Sequence, residues 1–109
     1  MYEYRAKLIS VYDGDTITVD IDLGLEVWLR KQKLRLYGIN APEMRGREKP
    51  RGEESKQFLI DILGDSEITL RTHKDRRGKY GRWLAELIVE GQNVNELMVE
   101  YGYAISRVY

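Results

Sequence analysis

The sequence predicts a mainly β fold of the α+β class, and three observations predict it. Short segments rich in β-branched and aromatic residues alternate at period two. Turn signals at Asp13-Gly14, Leu23-Gly24 and Glu90-Gly91-Gln92 separate several of them. Two stretches alone carry the three-to-four-residue apolar spacing of a helix. The chain has 109 residues, a length that suits one domain with a modest core.

The elements follow in order. Residues 4–11 (YRAKLISV) read as a strand, and 16–21 (TITVDI) as its hairpin partner. Residues 27–39 give a long third strand, with Leu34 and Leu36 on one face and Lys33, Arg35 and Tyr37 on the other. The polar segment 40–51 holds both prolines and reads as a loop. A helix is expected from about Gly52 to Leu63, with Phe58, Leu59, Ile62 and Leu63 as its apolar stripe and Gly64 as its stop. Residues 68–74 and 83–89 read as strands flanking a basic loop. A second helix follows, capped by Asn93 with Glu96 three residues on, and with Val94, Leu97, Met98 and Tyr101 as its buried face. Five strands with a helix inserted before the fourth describe a small closed barrel of the OB type with two short helices.

Composition narrows the chemistry. Cysteine is absent and His73 is the single histidine, which excludes disulfides, thiolate zinc sites, Cys nucleophiles and multi-histidine metal centres. No apolar run is long enough for a membrane span, so no membrane partner is expected. The first ten residues (MYEYRAKLIS) do not read as a signal peptide, which predicts a cytoplasmic chain, or else the mature or trimmed form of a secreted one. The 18 basic and 18 acidic residues cancel, but they are segregated. Residues 8–29 carry five acids and no base, residues 30–35 four bases and no acid, and residues 71–82 six bases against Asp75. Any one block alone reads as a solvated face; together they provide local potential for both a cation and a polyanion.

Three segments could carry chemistry. Asp13 and Asp15 stand two residues apart in Asp13-Gly14-Asp15-Thr16. Alone this is a hairpin turn, but a chain without Cys or His clusters could also aim these oxygens at a hard cation. In the second segment, Arg35 precedes Gly38 and the turn Asn40-Ala41-Pro42-Glu43. An isolated strand arginine is most often an edge charge. Here Pro42 holds Ala41 extended and fixes its carbonyl direction. The third is the loop Arg77-Gly78-Lys79-Tyr80-Gly81-Arg82, either a generic basic hairpin or a phosphate-binding one with Arg82 as a planar fork.

Four motifs in register, V-Y-D-G-D-T, L-R-L-Y-G-I-N-A-P-E, K-Y-G-R and V-N-E-L-M-V-E-Y-G-Y-A, make the sequence from Val11 onward resemble the staphylococcal nuclease (thermonuclease) family. The resemblance implies an OB barrel and Ca2+-dependent hydrolysis of phosphodiester bonds in DNA and RNA, leaving 3′-phosphate ends. By motif position, Asp15, Asn40 and the backbone carbonyl of Ala41 would ligate the metal, with Asp13 in the outer shell. Glu43 would be the general base, Arg35 and Arg82 would stabilise the scissile phosphate, and Lys79 and Tyr80 would hold its neighbour. A monomer acting on single-stranded DNA or RNA is expected. Asn40 stands where better-known members carry Asp, which predicts weaker metal binding or a shift toward Mg2+ or Mn2+. Ala41 replaces a threonine, the basic loop is shorter, and the chain is expected to lack the family's third helix. The alternative is a non-catalytic OB-type nucleic-acid-binding module with a weakened metal site. Tyr103 and Tyr109 are equally readable as base-stacking or packing groups. His73 reads as a strand surface residue without a role, and Trp28 and Trp83 as core or edge packing.

Overall fold

Alternating side chains build β1 (Tyr2–Asp13), β2 (Thr16–Asp22) and β3 (Trp28–Leu36) into an antiparallel ribbon whose inner face carries Ile17, Val19, Ile21, Leu34 and Leu36. The computed structural model describes residues 2–73 and 83–107. After β3 the chain turns at Gly38, in the left-handed region at φ 80°. It then makes the two-residue β4 (Ile39–Asn40), a single 3-10 turn (Gly46–Glu48) and α1 (Lys49–Leu63). Strands β5 (Ile68–His73) and β6 (Trp83–Val89) follow, then β7 (Gln92–Asn93), α2 (Val94–Glu100) and β8 (Ile105–Ser106).

Strand β5 pairs with both β1 and β6, and β6 returns to pair in parallel with β3 through Leu34↔Trp83, Arg35↔Leu84 and Leu36↔Ala85. That last seam closes a five-stranded barrel carrying two helices, the OB-type α+β architecture that the pattern predicts. Leu59 and Leu63 of α1 and Val94 and Met98 of α2 enter the same core as the barrel strands. Closing the seam removes an open sheet edge. Among the described residues, no helix is long and apolar enough to cross a membrane.

Several boundaries and faces differ from the sequence reading. The long strand expected at 27–39 is broken at Tyr37-Gly38, because Gly38 adopts the left-handed conformation. Helix α1 starts three residues before the expected Gly52: Pro50 lies within its first turn, where a missing N–H costs no helical bond. Asn93 does cap α2, its side chain accepting from the Glu96 amide at 3.1 Å. Tyr101 does not join the buried face; it follows the last residue of α2 and is 61% exposed. Trp83 takes the edge position that its reading allows, exposed and with its indole N–H donating to Gln32 Oε1 at 3.1 Å. His73 is not idle: its ring stacks on Tyr37 at 3.8 Å between centroids and its Nε2 lies 2.7 Å from Glu86.

Candidate active site

The first site residues meet because two glycines let three pieces of backbone touch. Gly14 lies between Asp13 and Asp15 without a left-handed φ; the position requires close approach instead. A Cβ there would fall 2.7 Å from Ala41 Cβ and 2.8 Å from Ser55 Cβ, closer than carbon atoms pack. Gly52 plays the same part in α1, where a Cβ would sit 2.3 Å from the carbonyl oxygen of Glu43. The loop 41–43 is thus pressed between the β1–β2 turn and the helix. Ser55 adds a tie, its hydroxyl donating to the Tyr103 carbonyl. Neither glycine contact nor Ser55 is marked by any local pattern, since each partner is remote in sequence.

On this frame Asp15 and Arg35 form a buried pair, Nη1 to Oδ2 2.9 Å, with each side chain about 10% exposed. Arg35 Nη2 also donates to Asn40 Oδ1. The Ala41 amide donates to Asp15 Oδ2 at 2.8 Å, and the Thr16 hydroxyl to Asp15 Oδ1 at 3.0 Å. Asp13 accepts from the Asp15 amide at 3.0 Å. Its carboxyl is pushed up to about 6, first by burial and then by hydrogen bonding and charge repulsion with Asp15. Arg35 Nη1 lies in the ion pair with Asp15 but makes no qualifying hydrogen bond among the described residues. A buried guanidinium with an unused donor is suited to an anionic oxygen arriving from outside.

Asp13, Asp15, Arg35, Asn40, Ala41 and Glu43 line one open cleft of about 1200 Å³. Glu43 stands on its rim with its side chain 63% exposed, its carboxylate 3.5 Å from Arg45 Nε, while its backbone amide donates to Glu48 at 3.3 Å. Tyr103 also lines the cleft and stacks on Phe58 at 4.2 Å. Arg82, Lys79, Tyr80 and Tyr109 lie outside the described residues.

The donor set around Arg35 is oxygen only. Among the described residues no three His, Cys, Asp or Glu side chains gather as a cage. Asp15 and Asn40 each contact one terminal nitrogen of the Arg35 guanidinium, which brings their oxygens to the same side group. One carboxylate and one neutral amide fit a hard divalent ion that keeps much of its shell as water or phosphate oxygen.

Comparison with known proteins gives a consistent result. The family model described as staphylococcal nuclease homologue matches residues 33–109. Over 98% of its length the chain is 32% identical to a thermonuclease of Staphylococcus hyicus, spanning 62% of that protein. It is 33% identical over 96% of its length to endonuclease YncB of Bacillus subtilis, spanning 52% of it. It is 33% identical over 92% of its length to endonuclease Htp3 of Saprolegnia parasitica, spanning 54% of it. The chain therefore covers between 52% and 62% of the length of these relatives.

Proposed function

Because the chain belongs to the staphylococcal nuclease homologue family, we propose that it is a metal-dependent nuclease hydrolysing phosphodiester bonds of DNA and RNA. The observation that carries this reading is the buried Asp15–Arg35–Asn40 cluster with its unused Arg35 donor, open to a cleft that Glu43 overlooks. Asp15, Asn40 and the Ala41 carbonyl would hold a Ca2+ ion, with Asp13 in the outer shell. With the neutral Asn40 in the set, Mg2+ and Mn2+ are the alternatives to test. When bound, such an ion neutralises phosphate charge and polarises the phosphorus–oxygen bonds.

The rest falls to the chain's own side chains. Asp15 and Asn40 hold the Arg35 guanidinium in place before substrate arrives, so its fork costs little reorganisation when a phosphate enters. Arg35, joined by Arg82, binds the scissile phosphate and stabilises the charge that builds on its oxygens. Lys79 and Tyr80 hold the adjoining phosphate. Glu43, exposed and free of the buried cluster, removes a proton from the attacking water, a contribution of about 10²–10⁴-fold. Release of 3′-phosphate ends from single-stranded substrate completes the reading.

The test is cleavage of single-stranded DNA with Ca2+, alongside EDTA and Glu43→Gln controls. Cleavage abolished by EDTA, and cut by about a hundredfold or more in Glu43→Gln, is the expected result. Absence of cleavage with Ca2+, Mg2+ and Mn2+ alike would sink the enzyme reading. Persisting binding would then favour a non-catalytic OB-type module, a reading that rests on Asn40 being neutral and already engaged by Arg35.

A further inference from the structure

The outer face of the β1–β2–β3 ribbon repeats the active-site row. The register aligns Asp13 with Thr16 and Thr16 with Arg35, which is the row at the site. The next outward row is Ser10, Thr18 and Lys33, and all three line the same cleft. It has hydroxyls and an amine where the first row has a carboxylate and a guanidinium. Lys33 is exposed, and it has no acidic partner among the described residues. Two residues along a strand place Lys33 about 6.6–6.8 Å from Arg35, close to the spacing of successive phosphates in an extended strand.

Beyond that row the same face holds Lys7 opposite Asp20, then Arg5 opposite Asp22 and Asp22 opposite Trp28. Trp28 is half-buried, with Lys7 Nζ 5.4 Å and the Arg30 guanidinium 5.0 Å from its ring. Asp20 is neutralised by Arg30 at 3.0 Å, and Asp22 is engaged by the Gly24 amide at 2.7 Å. Arg5 is paired with Glu67 at 3.2 Å. Asp22 keeps its negative charge, and the cations on this face without a carboxylate partner among the described residues are Lys33 and Lys7. An aromatic ring beside cations, continuous with a phosphate-seeking cleft, is the equipment of a single-strand stacking site.

We propose that a single nucleic-acid strand leaves the cleft along the outer face of β3, one phosphate held by Lys33 on the Ser10–Thr18 floor and a base further on stacked against Trp28. The proposal rests on the nuclease reading for the identity of the cleft, and it makes the substrate an oligonucleotide of several residues rather than a dinucleotide.

Binding, not cleavage, tests it. In a Trp83→Phe background, Trp28 is the single tryptophan, and its emission is titrated with an oligothymidylate of about eight nucleotides and with a dinucleotide. The titration is run in EDTA and again with Ca2+ in the Glu43→Gln variant. The octamer is expected to quench Trp28 and to bind at least tenfold more tightly than the dinucleotide. Lys33→Ala should lower the slope of log affinity against log salt by about 0.7 while leaving dinucleotide binding unchanged. Trp28→Ala, followed by the anisotropy of a labelled octamer, should weaken octamer binding by about tenfold. Melting of each variant at the parental temperature verifies its fold. Octamer binding without quenching, Lys33→Ala with the parental salt slope, or no octamer binding in either condition would each overturn the track. So would a duplex of equal length quenching as strongly. Cleavage that fails while the octamer still quenches Trp28 would reject the nuclease reading and leave the track standing.

Discussion

Gly52 presents two opposing effects at one atom. In the middle of an exposed helix, Gly→Ala gains about 1 kcal/mol of helix propensity. Here the added Cβ would fall 2.3 Å from the Glu43 carbonyl oxygen and 2.8 Å from its carbon, and the obstacle is backbone, which yields little. Overpacking of this kind costs about 1–3 kcal/mol, so Gly52→Ala is expected to destabilise by about 1 kcal/mol net in urea unfolding. It should also lower cleavage by displacing Glu43, since a shift of about 1 Å costs about a hundredfold. A stabilised variant with full activity would show that the contact is not made. Residues of this kind were illegible in the sequence because their partners are distant in the chain. Asp15, Arg35, Asn40 and Glu43 were legible for the opposite reason: each sits inside a short run whose spacing carries chemistry. Burial of Arg35 was still unforeseen, since nothing in L-R-L-Y says that loop 39–41 covers that face of the strand.

Among the elements, the β2–β3 pair shows how a strand pattern hides an irregularity. The register slips between Val19 and Ile21, and opposite the slip Lys31 takes φ 52°, a left-handed conformation that strains a residue with a side chain. Asp20 compensates: its carboxylate accepts from the Lys31 amide at 2.8 Å and from Arg30 at 3.0 Å. The Lys31 amide, and after it Arg30, hold the Asp20 carboxyl below its ordinary value. A lowered folded value stabilises the ionised form. The contribution is therefore present above the unfolded value of 3.8 and disappears as pH falls through the lower folded value. Asp20→Asn should melt below the parent at neutral pH, and the gap should close in acid. A gap that stays constant across that range would mean the carboxylate charge plays no part in holding the bulge. Alternation found both strands, because the bulge preserves inward Val19 and Ile21 and leaves the apolar period intact. The start of α1 is hidden for a complementary reason: Pro50 and the charges around it look like a loop unless the first-turn exemption for proline is applied.

Across the whole molecule, the decisive feature is the seam where β6 meets β3 in parallel and closes the barrel. Strand periodicity cannot identify it, since a residue facing the core looks the same whichever neighbour its backbone pairs with. The count and order of the elements point to a closed OB-type barrel, and the resemblance of motifs implies the same fold; neither names the residues that pair across the seam. Charge behaves similarly: a net of zero conceals acids gathered beside Arg35 and, on the adjoining sheet face, cations without a carboxylate partner among the described residues, so the sum says nothing about partners. The seam's clasp is Asn95, which α2 buries. Its amide nitrogen donates to the carbonyls of Tyr37 at 2.8 Å and Ala85 at 3.1 Å, and its oxygen accepts from the Leu87 amide at 3.1 Å. One side chain thus joins the end of β3, the middle of β6 and the second helix. A second bond crosses the same gap, the Tyr37 amide donating to the Ala85 carbonyl at 2.8 Å. Asn95→Ala deprives the Leu87 amide and the Tyr37 and Ala85 carbonyls of that partner together. The buried Leu87 amide left unsatisfied costs about 1–3 kcal/mol, while the carbonyl of Ala85 keeps the Tyr37 amide, so a loss of about 2 kcal/mol in urea unfolding is expected. The loss should be uneven in space. Amide exchange at Tyr37 and Leu87, whose N–H groups bond to Ala85 and Asn95, should accelerate more than exchange at Ile17 and Val19, which lie away from the seam. Because Arg35 pairs with Leu84 on that seam, cleavage should fall further than global unfolding alone accounts for at a temperature where the variant remains folded. Uniform acceleration of every amide, with activity tracking the folded fraction, would instead make Asn95 an ordinary core residue and leave barrel closure to the strands themselves.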